Sequence, residues 1–186
     1  KLMFFYNGPK CGASAPDHLH FQGGTSGMLP IQEMWSKLDA TAQPLLRKNE
    51  VEGIFEIVNF AYPAIAIKSR SVENGVKLFS IVYNSLPQQA DEVEPMMNIV
   101  VWKEGIDTVS VIFPRRKHRP DCYSKEGNEQ YLISPGALDM GGLLILPRQT
   151  DFERINEKLL LEVMQEIVLP AETMQEVTEK IRNKGE

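Results

Sequence analysis

The pentapeptide His18-Leu19-His20-Phe21-Gln22 constrains the fold more than any other part of this chain. Polar and apolar residues alternate through it, which is the pattern of a strand with one buried face. Side chains two apart share a face of a strand, so His18, His20 and Gln22 are expected to point together at one ligand, while Leu19 and Phe21 point into a core. A strand needs neighbours. The apolar run Leu2-Met3-Phe4-Phe5-Tyr6 supplies one, and the Gly/Pro/Ser-rich stretch from Asn7 to Asp17 forms the loop between the two. Because Leu2 to Tyr6 is apolar at every position, the expectation is a strand covered on both faces, with an exposed edge that a preceding segment or a second copy of the chain would pair. The chain is therefore expected to be the later part of a longer polypeptide.

Farther on, residues 31 to 48 look helical around Met34, Leu38 and Leu45-Leu46, and residues 53 to 60 and 64 to 68 look like strands. From Ser71 to Leu86 the residues Val72, Val76, Phe79, Val82, Tyr83 and Leu86 recur at helical spacing, and Pro87 ends the run. Met97 to Lys103 and Thr108 to Pro114 read as two strands joined by the short connection Glu104-Gly105-Ile106-Asp107. After a polar loop, Leu143 to Leu146 reads as a strand. Thr150-Asp151-Phe152-Glu153 has the form of a capping box and is expected to open a helix with Phe152, Ile155, Leu159, Val163 and Ile167 on one face. Pro170 breaks that helix and opens another, whose Met174, Val177 and Ile181 face the core. The expected architecture is α+β, an antiparallel sheet with flanking helices. Strand, connection, strand occurs at residues 1 to 23 and again at 97 to 114, so the chain divides into the end of a first lobe (1–52) and a second lobe (53–186) in which Val109 to Phe113 occupies the place of the histidine segment.

The 186 residues carry a formal charge of −5, which argues against general nucleic-acid binding. Arg115-Arg116-Lys117-His118-Arg119 concentrates positive charge in this acidic chain, either as a solvated face or as a seat for a small polyphosphate. No stretch approaches the roughly 18 to 20 apolar residues of a membrane span. Cys11 and Cys122 are too few for a disulfide framework, and a reducing cytoplasm is the expected compartment.

Two chemistries suit paired histidines. They could ligate a metal, with Asp17, Cys11, His118 and Cys122 as further candidates, although Gln22 is a poor ligand and no Cys-x-x-Cys pair is present. They could instead carry a phosphoryl group, since much of an ordinary imidazole is unprotonated at neutral pH and its phosphorus adduct is labile enough to be passed on. A non-catalytic nucleotide-binding protein would use the same surroundings.

Asn7-Gly8, Gly12-Ala13-Ser14 and His18 to Gln22 resemble the active-site segment of the histidine-triad (HIT-like) superfamily, in the branch that holds galactose-1-phosphate uridylyltransferase, diadenosine tetraphosphate phosphorylase and the GDP-hexose phosphorylases. Phe113 to Pro120 and Ser134 to Gly142 resemble the C-terminal half of the last group. The resemblance implies a HIT-like fold with two related lobes, the first incomplete here. It also implies transfer of a nucleoside monophosphate from a nucleotide-sugar or dinucleoside polyphosphate to phosphate or a sugar phosphate, through a covalent adduct on His20. By the same resemblance His18 orients the neighbouring imidazole and Gln22 donates to a phosphoryl oxygen. Gly12, Ala13 and Ser14 cradle phosphate, Asn7 supports the loop, and Arg115 and Lys117 contribute positive charge. Ser14 lies four residues before His18, where relatives commonly have three. No cofactor and no resident metal are implied; a divalent ion accompanying the substrate phosphates is compatible with this chemistry.

Overall fold

A computed structural model describes residues 1–184. In chain order its elements are β1 (Leu2–Asn7), β2 (Gln22–Thr25), α1 (Pro30–Glu33), α2 (Trp35–Thr41), β3 (Gln43–Arg47), β4 (Gly53–Glu56), β5 (Ile65–Ser69), α3 (Val72–Tyr83), β6 (Met97–Glu104), β7 (Asp107–Pro114), α4 (Ala137–Met140), α5 (Gln149–Arg154), α6 (Glu157–Ile167) and α7 (Ala171–Arg182). The strands form one seven-stranded antiparallel sheet in the order β2-β1-β6-β7-β5-β4-β3. Gly105, at φ +60°, turns the β6–β7 hairpin, a conformation that costs glycine little. The hairpins β1–β2 and β6–β7 meet through β1 and β6, so the two strand pairs lie side by side. Strands come from both sides of residue 52, and β3 pairs with β4 across that point.

Period-two alternation gives the sheet two apolar faces. Met3, Phe5, Val100, Trp102, Val111 and Phe113 form one face, packed with α1, α2, α4 and α6. Tyr6, Ile99, Ile112, Ile65 and Ile67 form the other, packed with α3 and α7. Each large apolar side chain fully buried in this way is worth roughly 1.5–3 kcal/mol.

Several sequence expectations are corrected. β1 is an interior strand between β2 and β6, so the free edge belongs to β2; Leu2 and Phe4 are 63% and 51% exposed on the face opposite Met3 and Phe5. The helix expected over 31–48 ends at Thr41, because Pro44 has no N–H to donate and disfavours helical backbone before it. Leu45 and Leu46 lie in edge strand β3, whose pairing shifts register between Pro44 and Leu46. The strand expected over 53–60 stops at Glu56, where the chain turns towards β5 and Ile57 N donates to Ala64 O at 3.0 Å. On α3, Val72 and Val76 are 85% and 59% exposed, while Leu78 and Val82 supply the buried contacts. Residues 143–146 form no strand. Leu143 N donates to Leu138 O (2.9 Å) and Ile145 N to Asp139 Oδ1 (2.7 Å), which wraps the segment back onto α4. The helix expected from Thr150 is broken at Ile155: Asn156 caps α6 by accepting from Leu159 N at 3.0 Å, and Phe152 is exposed.

Candidate active site

Asn7, the last residue of β1, lies opposite Asn98 of β6. Its Oδ1 accepts from Asn98 Nδ2 (2.8 Å) and from the Ala137 amide (2.6 Å), tying the strand to the start of α4. Asn98 is fully buried and also donates to Cys11 O (2.7 Å), so one side chain holds both ends of the loop's first turn. Gly12 continues the loop at φ +82°, and a Cβ there would stand 2.7 Å from Pro135 O. Only glycine fits this crossing.

Gln22 pairs with Phe5, which places it on the same face of the sheet as Asn7. Asn7, Gly12, Ser14 and Gln22 line a cleft of about 350 Å³, closed on its other side by Ser134 and by Gly136 to Asp139. Asp139 is buried, and burial pushes its carboxyl above the ordinary value, although its oxygens accept from the Gly136 amide (2.8 Å) and the Ile145 amide. Ala13 and His18 line an adjoining cleft of about 260 Å³, which shares Asn7 with the first.

The segment from His18 to Phe21 precedes β2 and is not part of it. Leu19 and Phe21 are 69% and 66% exposed and do not enter a closed core. The ladder with β2 stops at Phe5 and Gln22, while β1 continues along β6 to Asn7, with Gly8 N donating to Met97 O. Continuing the register would set Tyr6 against Phe21 and Asn7 against His20, with His20 on the face of Asn7 and Gln22. The Tyr6 and Phe21 rings are 5.4 Å apart. His20 Nδ1 is 3.2 Å from the His18 carbonyl oxygen, and His18 Nδ1 is 3.1 Å from Asp17 Oδ1. The Asp17 carboxyl is held below its ordinary value by its own backbone amide and by His18. Among the described residues no group of three or more His, Cys, Asp or Glu is arranged to hold a metal ion.

Arg115 is not a phosphate ligand. It is 2% exposed, and Nη1 donates to Asn98 Oδ1 (2.6 Å) and Pro135 O (3.0 Å), Nη2 to Lys117 O (3.1 Å) and His118 O (3.0 Å), and Nε to Ile167 O (3.3 Å). All five of its N–H groups are committed to the protein. Lys117 is likewise withdrawn: its ammonium lies between the carboxylates of Asp121 and Glu166, away from the cleft. Arg119 is exposed, stacks on Tyr123 at 4.1 Å and donates from Nε at 3.0 Å to the Oγ of Ser134, which lines the cleft. One clue to Asn98 was visible in the sequence, a lone amide at the start of an otherwise apolar strand. Nothing local marks Ser134 as a neighbour of Gln22, or Arg119 as its partner.

Residues 37–186 match the family model described as GDPGP1-like, C-terminal domain, and residues 1–25, which include the histidine segment, match Domain of unknown function (DUF4922). Among curated proteins no match is found. The crystal structure of yeast Ap4A phosphorylase Apa2 superposes with a TM-score of 0.59 at 15% sequence identity, covering 91% of this chain and 56% of that one. The chain thus spans little more than half the length of this structural relative, and the likeness is one of fold.

Proposed function

The chain belongs to the GDPGP1-like C-terminal domain family within the HIT-like superfamily, and on that premise we propose that it is the nucleophile-bearing part of a nucleotide phosphorylase. It would move a nucleoside monophosphate from a nucleotide-sugar or dinucleoside polyphosphate, by way of His20, to phosphate or a sugar phosphate. The observation that carries this is the contact between His20 Nδ1 and the His18 carbonyl. A carbonyl oxygen only accepts, so the proton sits on Nδ1 and the lone pair on Nε2 is free.

In the first step that lone pair attacks the α-phosphorus. An N–P bond forms, the P–O bond to the departing sugar phosphate or nucleoside polyphosphate breaks, and the bonding pair leaves with oxygen. In the second step an oxygen of the acceptor attacks the same phosphorus and the N–P bond breaks, which regenerates the imidazole. Charge on the equatorial oxygens is met by the Gln22 amide, the Ser14 hydroxyl, the Gly12-Ala13 backbone and Arg119, all on or beside the clefts that flank the motif. No cofactor is needed, and a divalent ion would enter bound to the substrate's phosphates. The two cysteines, free in the structure, suit a reducing cytoplasm, and among the described residues no helix is long and apolar enough to cross a membrane.

Incubating the full-length protein with a panel of nucleotide-sugars and dinucleoside polyphosphates plus inorganic phosphate tests this directly. Release of nucleoside diphosphate is expected from at least one member. Failure with every member by a folded, full-length protein would overturn the assignment.

A further inference from the structure

Phe21 packs on Tyr6, on the face of the sheet opposite Gln22, and Leu19 stands between the smaller cleft and this face. There they border a cavity of about 560 Å³ that runs along β6 between Met97 and Val101, about 13 Å at ~3.3 Å per residue. Its volume is that of a small-molecule site, and its concavity sets it apart from a flat contact surface. Val72 and Val76 form part of its wall from α3, which accounts for two large aliphatic side chains left exposed beside the buried Leu78 and Val82.

The two ends differ chemically. At the Ser110 end stand the hydroxyls of Ser69, Thr108 and Ser110, neutral and able to donate or accept. At the Met97 end the rings of Tyr6 and Tyr83 stand beside the carboxylate of Glu94. The Tyr6 hydroxyl donates to Glu94 at 2.8 Å (Oε1) and 2.9 Å (Oε2), and Gly8 leaves room for this approach, since a Cβ there would lie 3.0 Å from Glu94 Oε1. Among the described residues no lysine, arginine or histidine pairs with Glu94. A half-buried carboxylate fixed by a phenol, without a cation, at the aromatic end of an apolar cavity is an incomplete electrostatic arrangement.

We infer that this cavity is a second binding site, adjoining the smaller histidine cleft and sharing Tyr6, Leu19 and Glu94 with it, for a small organic cation with an apolar body. The ammonium sits between Glu94 and the Tyr6 and Tyr83 rings, and the body lies along Ile99, Val76 and Phe79. Burial pushes the Glu94 carboxyl above its ordinary value, and an arriving cation would favour its ionised form.

Three probes that share one body and differ only in the head group separate this site from a generic greasy pocket: 4-phenylbutylamine, 4-phenylbutanol and 4-phenylbutyrate, titrated into the intact chain by calorimetry. The amine is expected to bind saturably, at least about tenfold tighter than the alcohol, with the carboxylate weakest. Glu94→Gln should bring amine and alcohol together, and Val76→Trp, at an exposed helix position that does not threaten the fold, should remove binding of both. Equal binding of amine and carboxylate by the unmodified protein, or an amine preference that survives Glu94→Gln, or binding unaffected by Val76→Trp, would overturn the assignment.

Discussion

The Nδ1 atom of His20 and the carbonyl oxygen of His18 are 3.2 Å apart. The partner is backbone, so the contact that fixes the His20 tautomer does not depend on the side chain at position 18. His20→Ala should therefore lower transfer by several orders of magnitude, on the order expected when a nucleophile is removed, whereas His18→Ala should retain measurable turnover. An adduct that is labile in acid and stable in base should be found on His20 by mass spectrometry of protein quenched without acceptor. Full transfer activity in His20→Ala would refute the mechanism.

Arg115 and Arg119 should separate stability from activity. Replacing Arg115 with Met leaves Asn98 Oδ1 and several buried carbonyls unpaired, and is expected to lower unfolding stability by about 3 kcal/mol or more. Arg119→Ala removes an exposed side chain; denaturant midpoints should hardly move, while kcat/KM should fall about 10- to 100-fold if its guanidinium meets a phosphoryl oxygen. Lys117→Ala, at a largely solvated ion pair, should change stability by no more than about 1 kcal/mol and leave transfer intact.

Gly12 cannot carry a side chain without moving the chain at Pro135. Gly12→Ala should cost about 1–3 kcal/mol of strain, or shift the loop enough to relieve it. In the second case the global unfolding midpoint stays near that of the unmodified chain while transfer falls sharply, so measuring both quantities shows which has happened.

Asp151 governs acid stability. Burial raises its carboxyl, but Arg148, the Leu132 amide and Arg154 outweigh that and bring it down to about 2. Its folded value lies below its unfolded value of about 3.9. The stabilisation is therefore complete above pH ~4 and is lost as pH falls towards the folded value. Urea midpoints of the unmodified chain and Asp151→Asn should be well separated at pH 7 and converge between pH ~4 and ~2. A gap that stays constant over that range would show that Asp151 is not the group responsible.

Strands β5, β6 and β7 and helices α3 and α7 could be read from periodicity because each is a local pattern on a continuous stretch of chain. Leu45-Leu46 misled because two adjacent leucines suit a helix or a strand equally, and the decisive residue was Pro44 beside them. Thr150 to Glu153 looked like a capping box, yet the Asp151 side chain is drawn inward by two arginines and helix α6 starts afresh at Asn156. The histidine segment was visible as alternation, but the loop that leads into it is tied down at Asn7 by Asn98, a partner 91 residues away. The basic cluster failed for a related reason. Five neighbouring basic residues look alike in sequence, and which is sunk into carbonyls and which reaches a residue of the cleft is decided by residues 98, 134, 135 and 167.

Asn98 belongs to the hairpin that has no histidines, and it holds the residue that begins the loop of the hairpin that has them. The histidine-free hairpin is thus the jig in which the histidine-bearing one is clamped. Fragments that divide the chain between β2 and β6 should be inert apart, and should regain a cleft only by reassembling the β1–β6 seam, so the smallest working piece of this protein contains both hairpins.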